Sequence, residues 1–219
     1  MPTVNAKALL GTAVEALAPD PAAHPLVPLV ERGEAPVGTL ALLALEQRWV
    51  IPADQAAFEH LAARADSASA GFFAALAGGE ELAARYLTAF AEACGVTEDR
   101  ARAYIPRPGC QSCPAYVAWL ALNAAPADAV VALTANFSAW GGYCARIATG
   151  LRRHYGFPDE ACAFFDFFAE PVPDLDHRAT AAVRAALDAG ELDTGLAHAY
   201  AGLLQTYEAM FWNGLLTRP

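Results

Sequence analysis

Lysine is almost absent from this chain of 219 residues: Lys7 is the only one among 14 basic side chains, against 24 acidic ones. Formal net charge is −10 and the arginines are scattered, so no basic face is available to displace counterions from a nucleic-acid backbone. Nucleic acid is therefore not an expected partner. Long apolar runs are missing as well. None reaches the roughly 18 residues, free of charge or breaker, that a membrane span needs, and no membrane role is expected. The opening Met1-Pro2-Thr3-Val4-Asn5 has no basic segment followed by an apolar one, so no signal peptide is read there and the cytoplasm is the expected location. The 5 cysteines are an odd number in a core-forming chain and read as reduced thiols, not as a disulfide framework. Segments rich in Val and Ile that alternate with period two are also lacking, which removes the signature of a sheet.

What remains is a chain rich in alanine, 56% hydrophobic and only 17% charged, enough to build a large core. Breakers recur at helix-sized intervals: Pro19-Asp20-Pro21, Pro36, Asp66-Ser67-Ala68-Ser69, Gly95, Pro106-Arg107-Pro108-Gly109, Pro126, Gly156-Phe157-Pro158, Pro171-Val172-Pro173 and Gly190. Between them apolar residues follow helical spacing. It predicts helices at roughly 3–17, 37–65, 70–94, 97–104, 113–124, 126–155, 159–169, 174–189 and 192–216. Thr97 and Asp174 suit N-caps, and Pro114, Pro126 and Pro158 suit first turns. With no internal repeat or dividing linker, residues 1–219 read as a single all-α bundle.

The clearest stripe is Val130, Leu133, Phe137, Trp140, Cys144, Ile147, Leu151, one buried face of a long helix. Gly141-Gly142 interrupts it, serving either close helix packing or space beside Trp140 and Tyr143 for a ligand. Glu208 stands out because Leu204, Phe211 and Leu215 are its helical neighbours. A carboxylate on such a stripe loses solvation, its pKa rises unless a cation or donor meets it, and it can then act as a general acid or base. The bland alternative is a bundle-edge glutamate paired with an arginine. Glu46 and Arg48 pose the same question on the second long helix, as a structural salt bridge or as groups facing a ligand. Cys110 and Cys113 have redox-like spacing but no βαβ context, and no second pair of zinc ligands is evident. The helix dipole at the start expected near Cys113 would favour its thiolate. Di-iron bundles use Glu-x-x-His pairs, but Glu80 and Glu81 are followed by Ala83 and Ala84, and prolines interrupt Glu170, Asp174 and His177. No metal and no other cofactor is expected. Phe164-Phe165-Asp166-Phe167-Phe168 is too apolar for a loop and reads as core, part of it able to wall a pocket.

Several segments together resemble the TenA (thiaminase II) and PqqC superfamily, which has a haem-oxygenase-like all-α fold with an internal pocket. Tyr207-Glu208-Ala-Met-Phe211-Trp212 is similar to the Tyr-Glu-x-x-Phe-Trp ending of TenA proteins. Glu46-Gln47-Arg48-Trp49-Val50-Ile51-Pro52 resembles the second-helix motif, nearer to PqqC in its Arg and Ile-Pro. Ala132 to Phe137 and Trp140-Gly141-Gly142-Tyr143 fall where both families have their central catalytic helix. The resemblance implies Glu208 as acid/base, Arg48 as a partner of an anionic substrate, and Trp140, Tyr143, Phe168 and Tyr207 as walls of the cavity.

The departures from these families bear on the reaction. Thiaminase II has a Cys nucleophile four residues before a pocket Tyr. With Tyr143 as that Tyr, the nucleophile position holds Ala139. The pyrimidine-gripping Asp falls on Arg48 and a pocket Tyr on Phe168. The oxygen-site His and Arg of PqqC fall near Gly142 and Ala145, and its terminal-helix Lys on Tyr207. Expected, then, is a small-molecule enzyme, of specialised metabolism, that is not an active thiaminase II. A non-catalytic binding protein of the same fold and a di-iron oxidase with unorthodox ligands stay open, as does assembly as a homodimer or homotetramer.

Overall fold

The computed structural model describes residues 5–18 and 24–217. The helix start expected at residue 3 and the break at Pro19-Asp20-Pro21 lie outside the described residues. Among those described, the ordered elements are all helical: α1 (Ala6–Ala16), α2 (Leu26–Glu31), α3 (Val37–Arg64), α4 (Ser67–Ala93), α5 (Glu98–Ala103), α6 (Pro108–Asn123), α7 (Pro126–Gly150), α8 (Asp159–Ala169), α9 (Pro173–Ala189) and α10 (Thr194–Leu216). A wider π turn, Leu151–Tyr155, extends α7. No helix among the described residues is long and apolar enough to cross a membrane.

The caps show why the helices begin where they do. Asp66 accepts from the Ala68 and Ser69 amides, Thr97 from Arg100, and Asp193 from Gly195 and Leu196, each satisfying amides that the first turn leaves free. The cluster at 66–69 is therefore a cap and first turn, and α4 starts earlier than the composition suggests. Asp174 does not cap α9. Pro173 is the first residue of that helix, and Asp174 pairs with Arg178 one turn on. Likewise α6 begins at Pro108, so Cys110 and Cys113 lie inside the helix and Pro114 is internal. The short α2 was not expected. Its six residues span too little for a period to show, and their burial comes from Leu26, Val27 and Val30.

Helices α3 and α4 form the longest pair. Helix α6 packs on α3 and α10, α7 on α8 and α10, and α8 closes against α4. The apolar core falls into two clusters. One gathers Phe58, Leu61, Phe72, Phe73, Leu133 and Leu204, and the other Leu40, Leu43, Phe90, Ile147, Phe165 and Trp212. Between them runs a polar layer, because each long helix changes character at the same level. Gln47 and Asp54 mark it on α3, Glu80 on α4, Asn136 on α7 and Glu208 on α10.

Gly141 and Gly142 prove to differ. A Cβ on Gly141 would lie 2.9 Å from the Phe168 carbonyl oxygen, whereas one on Gly142 would meet nothing within 4 Å. Gly141 thus lets the end of α8 approach α7 and sets the Phe168 ring 5.9 Å from Trp140. We expect Gly141→Ala to destabilise the protein by about 1–3 kcal/mol, since backbone must move. Gly142→Ala should stabilise it by about 0.5–1 kcal/mol through helix propensity alone. Urea unfolding of both variants checks this, and equal effects would contradict the close-approach account.

Candidate functional site

The polar layer surrounds a cavity of about 60 Å3. Helix α3 contributes Gln47, Val50 and Asp54; α4 gives Glu80; α6 gives Cys113; α7 gives Asn136, Phe137 and Trp140; α8 gives Phe168; α10 gives Glu208 and Phe211. Six helices therefore meet at one small space, with acids on three of them.

Glu208 is 3% exposed. Its two oxygens each accept one N–H: Oε2 from Asn136 Nδ2 at 2.6 Å, and Oε1 from Trp212 Nε1 at 3.1 Å. The second bond runs one turn along α10. This gives a physical reason for the Glu-x-x-Phe-Trp spacing: Phe211 faces the cavity while Trp212 holds the glutamate. Burial pushes the carboxyl up to about 7, against the two hydrogen bonds, which lower it.

Asp54 and Glu80 form a second acidic group. Asp54 Oδ1 is buried with no hydrogen-bond partner, and burial pushes this carboxyl up to about 7. Glu80 is 7% exposed and, among the described residues, has no hydrogen bond or ion pair. Its pKa is raised well above the usual carboxylate range by burial and then by the charge of Asp54 beside it. Two such acids titrate as a unit and favour sharing one proton.

The Cys113 thiol lies in the same wall. It is pushed well up, first by burial and then by the charges of Asp54 and Glu208, so it is no thiolate at neutral pH. Cys110 is buried, donates to the Phe211 carbonyl at 3.5 Å and is pushed up to about 12 by burial. The thiolate expected from the helix start is thus not favoured, because Cys113 sits within α6 among acids.

Of the sequence-predicted residues, Glu208, Trp140 and Phe168 meet at the cavity. Tyr143, Tyr207 and Arg48 do not line it. Tyr143 stands a turn beyond Trp140, where it is buried against Trp212 (ring centroids 5.7 Å apart) and His24 (4.8 Å). Tyr207 precedes Glu208 by one residue, about 100° around the helix, and packs on Tyr116 at 4.8 Å. Arg48 is turned away from Gln47 by the same rotation. It is exposed in a surface groove with Pro52, Gln55 and Glu92, so the expectation that it shares the cavity with Glu208 is corrected. Glu46 has a structural role. It is fully buried and accepts from the Tyr104 hydroxyl, the Arg107 amide at 2.8 Å and Gln111 Nε2 at 2.8 Å, tying the start of α6 to α3.

Asp54, Glu80, Asn136, Gln47 and Cys113 are the site residues that sequence reading did not assemble. The signal for two of them was present. Asp54 follows Gln47 by seven residues on the stripe that also holds Leu40, Leu43 and Phe58. Glu80 interrupts Phe73, Leu76, Ala83, Leu87 and Phe90. The cavity wall holds no histidine, and no group of three or more His, Cys, Asp or Glu among the described residues is arranged to hold a metal ion.

This architecture is the haem-oxygenase-like all-α fold, and the solved structures similar to it include the following two. One is a domain of unknown function with a heme oxygenase-like fold from Shewanella denitrificans OS217, at TM-score 0.71 and 12% identity, covering 94% of this chain and 88% of that one. The other is a TenA homologue from P. horikoshii OT3, at TM-score 0.68 and 12% identity, covering 96% of this chain and 94% of that one. No family model and no curated protein matches the sequence.

Proposed function

We propose that this protein is a small-molecule enzyme in which Glu208 is the acid/base group of the cavity between α3, α4, α6, α7, α8 and α10. The observation that carries the reading is the setting of Glu208. It is nearly inaccessible, it is oriented by Asn136 and Trp212, it lines a cavity, and its carboxyl is pushed up to about 7. A group that changes protonation near neutral pH can both accept and return a proton with little penalty in either direction. Asn136 and Trp212 keep the carboxyl from rotating, and Trp140, Phe168 and Phe211 keep bulk water from it.

No covalent thiol route of the thiaminase kind is supported. Neither aromatic of α7 that lines the cavity has a cysteine four residues before it: that position holds Leu133 for Phe137, and for Trp140 it holds Asn136, an amide already donating to Glu208. Ala139, four residues before Tyr143, has no nucleophile, and the Cys113 thiol is held protonated. Purified protein should therefore show negligible hydrolysis of thiamin or of an aminopyrimidine compared with a cysteine-bearing thiaminase II. Robust turnover of either would contradict this.

The acid/base reading is tested by assaying small-molecule turnover across pH for the wild type and Glu208→Gln. The expected result is a rate limb near pH 7 in the wild type that disappears with the glutamine. Turnover with the same limb in both would remove Glu208 from the chemistry.

A further inference from the structure

We infer that the ligand of this cavity is a compact organic cation, the ammonium form of a small aliphatic amine, with Asp54 and Glu80 as its counter-charge. This rests on the reading of the cavity as the working site.

The first observation is an unmet charge. Glu80 is 7% exposed, faces the cavity, and has no hydrogen bond or ion pair among the described residues. Asp54 Oδ1 beside it is buried without a partner. A buried acid pair that served only to hold helices together would be met by an arginine or by N–H donors, as Glu46 and Glu208 are. Here both acids line the same cavity, and neither Glu80 nor Asp54 Oδ1 is met by a protein donor among the described residues.

The second observation concerns what surrounds that space. The titratable groups facing it are Asp54 from α3, Glu80 from α4, Cys113 from α6 and Glu208 from α10; α7 and α8 contribute none. No Lys, Arg or His lines the wall, so an anionic ligand would meet acids and no positive charge. The opposite walls are the rings of Phe137, Trp140, Phe168 and Phe211. Aromatic faces attract cations and accommodate an alkyl chain. A neutral alcohol would fit the rings but leave the acid pair unanswered.

Size narrows the class. A cavity of about 60 Å3 favours a compact ligand over an extended one. An ammonium group donates three hydrogen bonds, matching Asp54 Oδ1, Glu80 and a third acceptor such as Glu208 or the Gln47 amide oxygen. Entry of the cation displaces the proton that the acid pair shares, so binding strengthens as pH rises through neutrality and releases protons.

The four Trp indoles give the readout, since Trp140 and Trp212 adjoin the cavity and Trp49 and Trp119 lie on the surface. Ethylammonium chloride, ethanol and sodium acetate are each titrated at pH 8 and matched ionic strength into 15N-labelled protein. Ethylammonium should shift the Trp140 and Trp212 indole signals saturably, leaving Trp49 and Trp119 in place, and should bind at least ten times tighter than ethanol or acetate. Asp54→Asn, alone and with Glu80→Gln, should weaken ethylammonium at least tenfold, with cooperative thermal unfolding confirming that each variant folds. No saturable shift with ethylammonium overturns the inference. Tighter binding of acetate or ethanol at the same indoles also overturns it, yet keeps the cavity as a site. Ethylammonium binding that depends on Asp54 in a protein whose turnover ignores Glu208 would uphold it and remove only the catalytic role proposed for Glu208.

Discussion

Asp54→Asn should make the protein more stable at pH 8 and leave it nearly unchanged at pH 4. Asp54 is ionised in the unfolded chain above about pH 4. In the folded protein, burial pushes its pKa up to about 7. A raised folded value means that the native state binds the proton more tightly than the unfolded state does. The stability this confers is full below the unfolded value, falls as pH rises from about 4 to about 7, and is lost above the folded value. Asparagine has no such loss. A rise from about 4 to about 7 corresponds to roughly 4 kcal/mol at pH 8, and sharing with Glu80 brings the expected gain to about 2 kcal/mol. For a chain of this length that is a rise in Tm of about 4–8 °C. Glu80→Gln should behave alike, and the double variant should gain less than the sum, because either change relieves the same repulsion. Thermal unfolding from pH 4 to pH 8 measures it. A variant less stable than the wild type at pH 8 would show that Asp54 makes a stabilising contact and carries no unmet charge.

Glu208→Gln should lower turnover by about 10²–10⁴-fold, the usual contribution of a positioned acid/base group. The fold should survive. The amide introduced by Glu208→Gln can accept from Trp212 Nε1 and, once the Asn136 amide turns over, donate to its oxygen. The hydrogen bonds now seen at 2.6 and 3.1 Å are then replaced and not lost. Asn136→Ala separates orientation from chemistry. It removes one of the two donors that lower the Glu208 pKa, so the rate limb should move to higher pH by up to about one unit while Glu208 itself remains. A loss of rate in Asn136→Ala with no movement of the limb would mean that the amide acts on the substrate and not on Glu208.

Most of the helical frame was legible because its breakers are spaced at helix length, and Thr97 and Pro126 mark starts that the structure retains. The errors have local causes. Pro108-Gly109 reads as a break, yet proline suits a first turn, and Gly109 permits approach to α10, with a Cβ there lying 3.3 Å from the Met210 carbonyl oxygen. Glu208 was legible since a carboxylate on an apolar stripe is anomalous whatever its partners. Arg48 and Tyr207 were misplaced by a single residue's rotation about a helix, an error that motif matching does not register. Asp54 and Glu80 went unassembled because their meaning is a meeting of α3 with α4. Each alone is one polar residue on a long helix, and the only sequence motif that Glu80 suggests, a Glu-x-x-His pair, is broken by Ala83. The division of the core into two apolar clusters with a polar layer between becomes visible only when the long helices are set side by side.

The most direct test of the account is the titration of Glu208 itself, followed by 13C NMR of the glutamate side-chain carboxyls and assigned by the signal missing in Glu208→Gln. The account predicts a midpoint near pH 7, lying apart from the exposed glutamates. A midpoint in the ordinary range of about 4–4.5 would mean that Glu208 is solvated or charge-paired, and would contradict its role as the acid/base group of this cavity.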